Sequence, residues 1–235
     1  MAKNIFKFKQ FEVDQTNCAM KINTDGVLLA ALVQSEKPKR ILDIGTGTGV
    51  LALMMAQRFL SAKIAAVEID ELASATADKN FQNSVFSDRL TINNIAIEKY
   101  NNPIQFDLII SNPPFFVNDL KNTEEKKGIA RHASEQFFED LIVKVNELLN
   151  SDGSFWFILP PKQADFFIDK AKRFQLFVHK IVMLHSDLSK PAFRYIVCLC
   201  RTNEELIKEQ FYIYEAEKIY TKAYQELLKD FFLGY

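Results

Sequence analysis

The sequence predicts an α/β fold, a mostly parallel β-sheet with helices on both faces. Three observations carry that prediction. Short apolar runs alternate with longer amphipathic ones, which is the pattern of repeated strand-helix units. The short runs are apolar throughout rather than strictly alternating, so the strands are buried on both faces. A glycine-rich turn also joins the first strong strand to the first amphipathic run. A chain of 235 residues, 48% hydrophobic, is long enough for one domain with a full core, and 21 phenylalanines make that core aromatic.

In chain order, "RILDI" (40–44) is the first core strand and 50–59 the helix that follows it. "KIAAVEI" (63–69) and a helix over 71–83 form the next unit. "LTINNIAI" (90–97) and "FDLIIS" (106–111) are two further strands. A helix over about 134–149 follows, with Phe138, Leu141, Ile142, Val145 and Leu148 at helical spacing. "GSFWFIL" (153–159) precedes a helix over 162–175. "FVHKIVMLH" (177–185) and "FRYIVCLC" (193–200) supply two strands that close the sheet in antiparallel fashion. The tail over 203–235 adds a short strand around "QFYIYE" and a helix from about 219. No linker divides the chain, so the expectation is one domain: an N-terminal extension (1–35), a core (36–200) and a C-terminal strand and helix (201–235).

Composition excludes several classes. No apolar stretch reaches the length of a membrane span. The N-terminal "MAKNIFKFKQ" lacks the apolar core of a signal peptide, so a cytoplasmic chain is expected, with a monomer favoured. Three cysteines, two of them (Cys198 and Cys200) on one face of a strand, give neither a disulfide framework nor a zinc pattern. His132, His179 and His185 lack metal-ligand spacing, and no metal is expected. The net charge of -1 leaves nucleic-acid binding to local patches.

"ILDIGTGTGVLAL" (41–53) carries the first chemical signal. Gly45, Gly47 and Gly49 let the backbone turn tightly and approach a ligand. The dinucleotide pattern G-x-G-x-x-G requires glycine at position 50, which is Val50. Asp43, two residues before the first glycine, opposes a pyrophosphate and suits a ligand bearing ammonium or sulfonium groups. These features favour S-adenosylmethionine. Glu68 ends the next strand about 20 residues after the turn, the spacing of a carboxylate that holds ribose hydroxyls. Asp70 reads as the cap of the following helix. Ala96 lies where the adenine would rest, read there by backbone groups.

"SNPPFF" (111–116) carries the second. An amine attached to an aromatic base is a poor nucleophile because its lone pair is delocalised. Two acceptors aimed at its N–H bonds localise that pair while a methyl donor waits in line. The Asn112 side-chain oxygen and the Pro113 carbonyl can be those acceptors, on a turn stiffened by consecutive prolines. Phe115 offers a face on which an extruded base can stack. The polar stretch "KNTEEKKGIARHA" (121–133) that follows reads as a mobile lid or a substrate arm.

With these motifs, the chain resembles class I adenosylmethionine-dependent methyltransferases of the amino-methylating kind. More narrowly it resembles the bacterial tRNA1(Val) adenine-37 N6-methyltransferases, on "FKFKQFEVDQTNCAMKINTDGVLLAA" (6–31), "LDIGTGTGVLALMMAQR" (42–58) and "FDLIISNPPFF" (106–116). The resemblance implies a seven-stranded Rossmann-like fold, an adenine next to the anticodon as target and tRNA as partner. It carries cofactor roles to Asp43, Gly45, Gly47, Gly49 and Glu68, and amine-binding roles to Asn112, Pro113 and Phe115. Thr24 and Asp25 would lie over the cofactor or, equally, cap the helix they begin. Phe115 stands where adenine-methylating members carry tyrosine and Ala96 where they carry an acid, so guanine N2 in ribosomal RNA and a protein glutamine amide remain alternative targets. A non-catalytic binding module is the third reading. The substrate-binding expectation falls on Phe116 and on two basic groups, Lys3, Lys7 and Lys9 at the N-terminus and Lys126, Lys127 and Arg131 after the loop.

Overall fold

The apolar runs from "RILDI" to "FRYIVCLC" become strands of one sheet, and its central strands are buried on both faces. The computed structural model describes residues 4–16, 18, 20–114 and 124–234, with side chains for all of these except 124–134. A short hairpin of β1 (Ile5–Lys7) and β2 (Glu12–Asp14) precedes α1 (Thr24–Leu32). The core then runs β3 (Arg40–Ile44), α2 (Val50–Arg58), β4 (Lys63–Glu68), α3 (Glu71–Gln82), β5 (Leu90–Asn94), β6 (Phe106–Ser111), α4 (Glu124–Leu148) and β7 (Leu149–Leu159). It continues with α5 (Pro161–Ala171), β8 (Phe177–His185), β9 (Ala192–Cys200) and β10 (Ile207–Tyr212). A hairpin of β11 (Tyr214–Ala216) and β12 (Ile219–Tyr220) and then α6 (Lys222–Leu228) complete the chain.

The strand order is β10-β8-β9-β7-β6-β3-β4-β5. β9 runs antiparallel to β7 and β8, and the other neighbours pair in parallel. The sheet has eight strands rather than the seven implied by the resemblance, because β10 adds in parallel to the outer edge of β8. The run "QFYIYE" is also divided: its first half belongs to β10, and Ile213 turns inward before β11. The strand expected over 90–97 stops at Asn94, whose side-chain amide donates to the Glu68 carbonyl at 2.9 Å. α4 begins ten residues earlier than its apolar spacing indicated, because a polar first half carries no such signal. α6 starts at Lys222, where Thr221 Oγ1 accepts from Tyr224 N at 3.1 Å.

Alternation along the strands sorts the core into two layers. Ile41, Ile64, Leu108, Ile110, Trp156 and Ile158 face α1, α2, α3 and α6. Leu42, Ile44, Val67, Ile109, Phe155 and Phe157 face α4 and α5. The N-terminal hairpin packs Phe8 on Phe11 and Phe232, and Asn80 of α3 ties it down: its Oδ1 accepts from Asp14 N and its amide donates to the Asp14 and Thr48 carbonyls, each at 2.9 Å. This anchoring brings Cys18 and residues 20–26 to the carboxyl edge of the sheet.

Candidate active site

A cavity of ≈ 470 Å³ lies at the carboxyl ends of β3, β4, β5 and β6. Ligands of open α/β sheets bind at such an edge, and the volume suits a small molecule. Its floor is the turn after β3, its sides are Glu68 and the Ile95–Glu98 turn, and its far wall is Asn112–Pro114. Cys18, residues of the 20–26 segment and Phe137 of α4 complete the enclosure.

The three glycines all take positive φ, +72° at Gly45, +55° at Gly47 and +83° at Gly49, yet they serve two purposes. A Cβ at Gly45 or Gly47 would meet no atom within 4 Å, and both line the cavity, so their freedom is used for the turn and for open approach. A Cβ at Gly49 would stand 2.5 Å from Phe81 Cε1. Gly49 is therefore where α3 packs against the turn, and it does not line the cavity as the sequence reading expected.

Asp43 is fully buried and stands behind the wall that Ile44 and Gly45 form. Its Oδ2 accepts from Thr46 Oγ1 at 2.5 Å and from Ala52 N at 3.2 Å, so it braces the glycine turn against the first turn of α2. Its Oδ1 has no hydrogen-bond partner among the described residues. Burial pushes its carboxyl up to about 7, only partly opposed by the Thr46 and Ala52 hydrogen bonds. Glu68 lines the cavity directly, with Oε2 accepting from Gly47 N and Oε1 from Asp70 N, both at 2.9 Å. Asp70 caps α3 as expected, accepting from Ala73 N at 2.7 Å. Ala96 lines the cavity between Ile95 and Ile97, and the nearby acid is Glu98.

Ser111 Oγ donates to the Ile44 carbonyl at 2.9 Å, locking the end of β6 to the end of β3. The chain then leaves the sheet through half-buried Asn112, buried Pro113 and exposed Pro114, all on the cavity wall. A Cβ on Gly26 would lie 3.6 Å from the Asn112 side-chain nitrogen, so the first turn of α1 abuts this amide. Phe115 and Phe116 lie outside the described residues.

Thr24 and Asp25 are placed differently from either expectation. The cap of α1 is Asn23, whose Oδ1 accepts from Gly26 N at 2.9 Å, and it is Asn23 and Gly26 that line the cavity. Asp25 is held by Arg194 of β9, Nε to Oδ2 at 2.6 Å. An Asn immediately before "TDG" was a readable capping signal that the sequence reading passed over. Phe137 had no such signal, since only the tertiary fold brings α4 beside Pro113 and Ile97.

The methyltransferase small domain pattern matches residues 17–168 of this chain. A protein of Pedobacter heparinus named tRNA1(Val) (adenine(37)-N6)-methyltransferase is 54% identical over 99% of this chain and 100% of its own length. One of Bacteroides thetaiotaomicron with the same name is 38% identical over 99% of both. Among solved structures, a predicted O-methyltransferase of Agrobacterium tumefaciens superposes with a TM-score of 0.69 at 20% identity, covering 88% of this chain and 96% of that one. The glycopeptide N-methyltransferase MtfA with S-adenosylhomocysteine superposes with a TM-score of 0.58 at 13% identity, covering 78% and 92%.

The chain belongs to the tRNA1(Val) (adenine(37)-N6)-methyltransferase family. Its solved neighbours, at such low identity, share the fold alone.

Membership leaves the basic groups to be placed. Lys7 pairs with Glu12 across the hairpin at 2.6 Å, and Lys9 Nζ donates to the Lys229 carbonyl at the end of α6. Both are thus engaged within the protein, while Lys3 lies outside the described residues. Lys126, Lys127 and Arg131 fall on the first turns of α4, and their side chains lie outside the description. Lys180 is buried and paired with Glu209 at 2.7 Å, which makes it a structural cation. Among the described residues no cluster of His, Cys, Asp or Glu could hold a metal, and no helix is long and apolar enough to cross a membrane.

Proposed function

We propose that this protein transfers the methyl group of S-adenosylmethionine to the exocyclic N6 of an adenine in tRNA, adenine 37 of tRNA1(Val), in the cytoplasm. The observation that carries the reading is the seating of Asn112 and Pro113 on the wall of the cavity whose floor is the glycine turn. The names of the full-length relatives favour adenine over guanine N2 and over a glutamine amide.

The residues present fit the cofactor. Asp43 offers an orphaned, buried carboxylate oxygen behind the glycine turn, suited to a cationic ligand. Glu68 holds the turn with one lone pair on each oxygen and keeps others for ribose hydroxyls. Ile95, Ile97 and Phe137 form an apolar slot for the adenine ring, with Glu98 at its side as an acceptor. When bound, the cofactor supplies an electrophilic methyl carbon on a sulfonium.

Asn112 Oδ1 and the Pro113 carbonyl accept the two N–H groups of the target amine and so draw its lone pair out of conjugation, facing the methyl group. Gly26 lies beside the Asn112 amide, and the Ser111 anchor fixes the end of β6 just before it; the amide itself bonds to no described residue, which leaves it open to the target amine. On a turn anchored at Ser111 and stiffened by two prolines, the two acceptors need little reorganisation at the moment of transfer. With the cofactor bound, these residues would present the amine nitrogen to the methyl group it supplies, the N–C bond forming as the S–C bond breaks, and the amine proton would pass to water. Phe115 supplies the stacking face for the base.

The test is incubation with labelled cofactor and unmodified total tRNA, followed by nucleoside analysis. N6-methyladenosine is the expected product. Labelled guanosine moves the target to guanine N2, and label found only in protein moves it to a glutamine amide. Asn112→Ala should lower kcat by 10²-fold or more, about 3 kcal/mol of transition-state stabilisation, with the cofactor Kd within about three-fold. Loss of cofactor binding in the same variant would make the turn structural and remove Asn112 from the chemistry.

A further inference from the structure

Lys21 is the one basic residue on the cavity wall among the described residues, against three acids, Glu68, Asp70 and Glu98. It forms no ion pair and no hydrogen bond with any described residue. Met20, Ile22 and Asn23 line the cavity with it, and the described residues on either side are fixed. At one end Thr76 Oγ1 of α3 donates to the Thr16 carbonyl at 2.9 Å, and Cys18 stands within the field of Glu68 and Asp70. At the other end Ile22 N donates to Gln15 Oε1 at 2.8 Å, after which Asn23 caps α1 and Gly26 meets Asn112. Lys21 is thus held between the ribose side of the cavity and the amine-binding side.

Adenosylmethionine carries a sulfonium, an ammonium and a single carboxylate. The acids of the wall and the orphaned oxygen of Asp43 suit the two cations and the ribose. The carboxylate needs a positive partner. The first turns of α1, α2 and α3 also meet the cavity, but each already has an acceptor of its own, Gly26 N on Asn23, Ala52 N on Asp43 and Ala73 N on Asp70. We propose that Lys21 binds the α-carboxylate of the cofactor through its ammonium group, so that the 20–23 strap fastens the methionine end of the ligand. This assignment rests on the methyltransferase reading above and extends it. A phosphate oxygen of the RNA has the same chemistry, and the experiment separates the two sources.

Calorimetry on the full-length protein would compare adenosylmethionine, adenosylhomocysteine and decarboxylated adenosylmethionine, for the native chain, Lys21→Gln and Lys21→Arg. The glutamine variant should bind both carboxylate-bearing ligands about 10-fold more weakly, as expected for one charge-assisted contact, and the arginine variant should stay within about three-fold of the native chain. Decarboxylated adenosylmethionine should bind the native and glutamine proteins alike. Equal weakening for all three ligands, or none for any, overturns the assignment. Intact cofactor binding, with tRNA affinity lost and its salt slope shallower by about one, also overturns it and gives the ammonium to a phosphate. If the native chain binds none of the three ligands, the cofactor reading itself has failed. Lys21 is exposed and unpaired, so both variants should melt with the native chain, and a lowered Tm would assign Lys21 to the fold instead.

Discussion

Asp43 shows at the scale of one residue how a site can be built against stability. An Asp buried completely, with one oxygen unpartnered among the described residues, is costly to ionise, and its carboxyl is raised from 3.8 to about 7. The sign follows from linkage: between these values the folded state holds a proton that the unfolded state has released. Stability from this group is therefore fully present below pH 4 and is lost as pH rises through about 7. The ceiling on that loss is about 4 kcal/mol, from three pKa units at ~1.4 kcal/mol each. In the cofactor-free protein, urea midpoints should fall between pH 5 and pH 8. Asp43→Asn keeps an oxygen for Thr46 and Ala52 and removes the charge, so its midpoint should be nearly flat with pH and above the native value at pH 8. A parallel pH dependence in both proteins would place the titrating group elsewhere. The same variant should bind adenosylmethionine more weakly, because it removes the negative charge behind the glycine turn that suits a cationic ligand.

At the scale of elements, the glycine turn depends on α3 as much as on its own conformation. Gly49→Ala combines a φ of +83° with a Cβ 2.5 Å from Phe81, so a loss of about 2–4 kcal/mol is expected from strain and overpacking together. Gly47→Ala meets no atom, so it should cost only the strain of its φ, about 1–2 kcal/mol. Chemical denaturation of the two variants would test this order, and a reversed order would refute the division of roles. The sequence made the turn legible, because glycine spacing and the apolar runs on either side are local signals. It did not show which glycine faced ligand and which faced Phe81, since that depends on a helix thirty residues away. The same limit explains other differences. Asn112 and Glu68 were legible from position at strand ends, whereas Phe137 reaches the cavity only through tertiary packing. The polar start of α4 hid ten residues of helix, and Asp25 met Arg194 from a strand far along the chain.

At the scale of the whole molecule, a net charge of -1 means that RNA must be gripped by a patch beside the cavity rather than drawn in by the field of the protein. The two basic groups of the sequence are not equivalent once the fold is known. Lys7 and Lys9 already answer to Glu12 and to the end of α6. Exposed pairs of that kind are weak, so an RNA phosphate could displace them, but each displacement cancels part of the gain. Lys126, Lys127 and Arg131 belong to the first turns of α4, the helix whose Phe137 lines the cavity. Neutralising all three with glutamine should therefore weaken tRNA binding and make the salt dependence shallower by two to three phosphate contacts, on the order of -0.7 to -0.9 in log-log slope per contact. Lys7→Gln with Lys9→Gln should change that slope by less than one contact. Filter binding across a salt series measures both, with cofactor affinity as the control that the cavity is intact. If the N-terminal pair carried the larger change, the RNA would have to approach over the β1–β2 hairpin, and the strap with Lys21 would then be part of the RNA path.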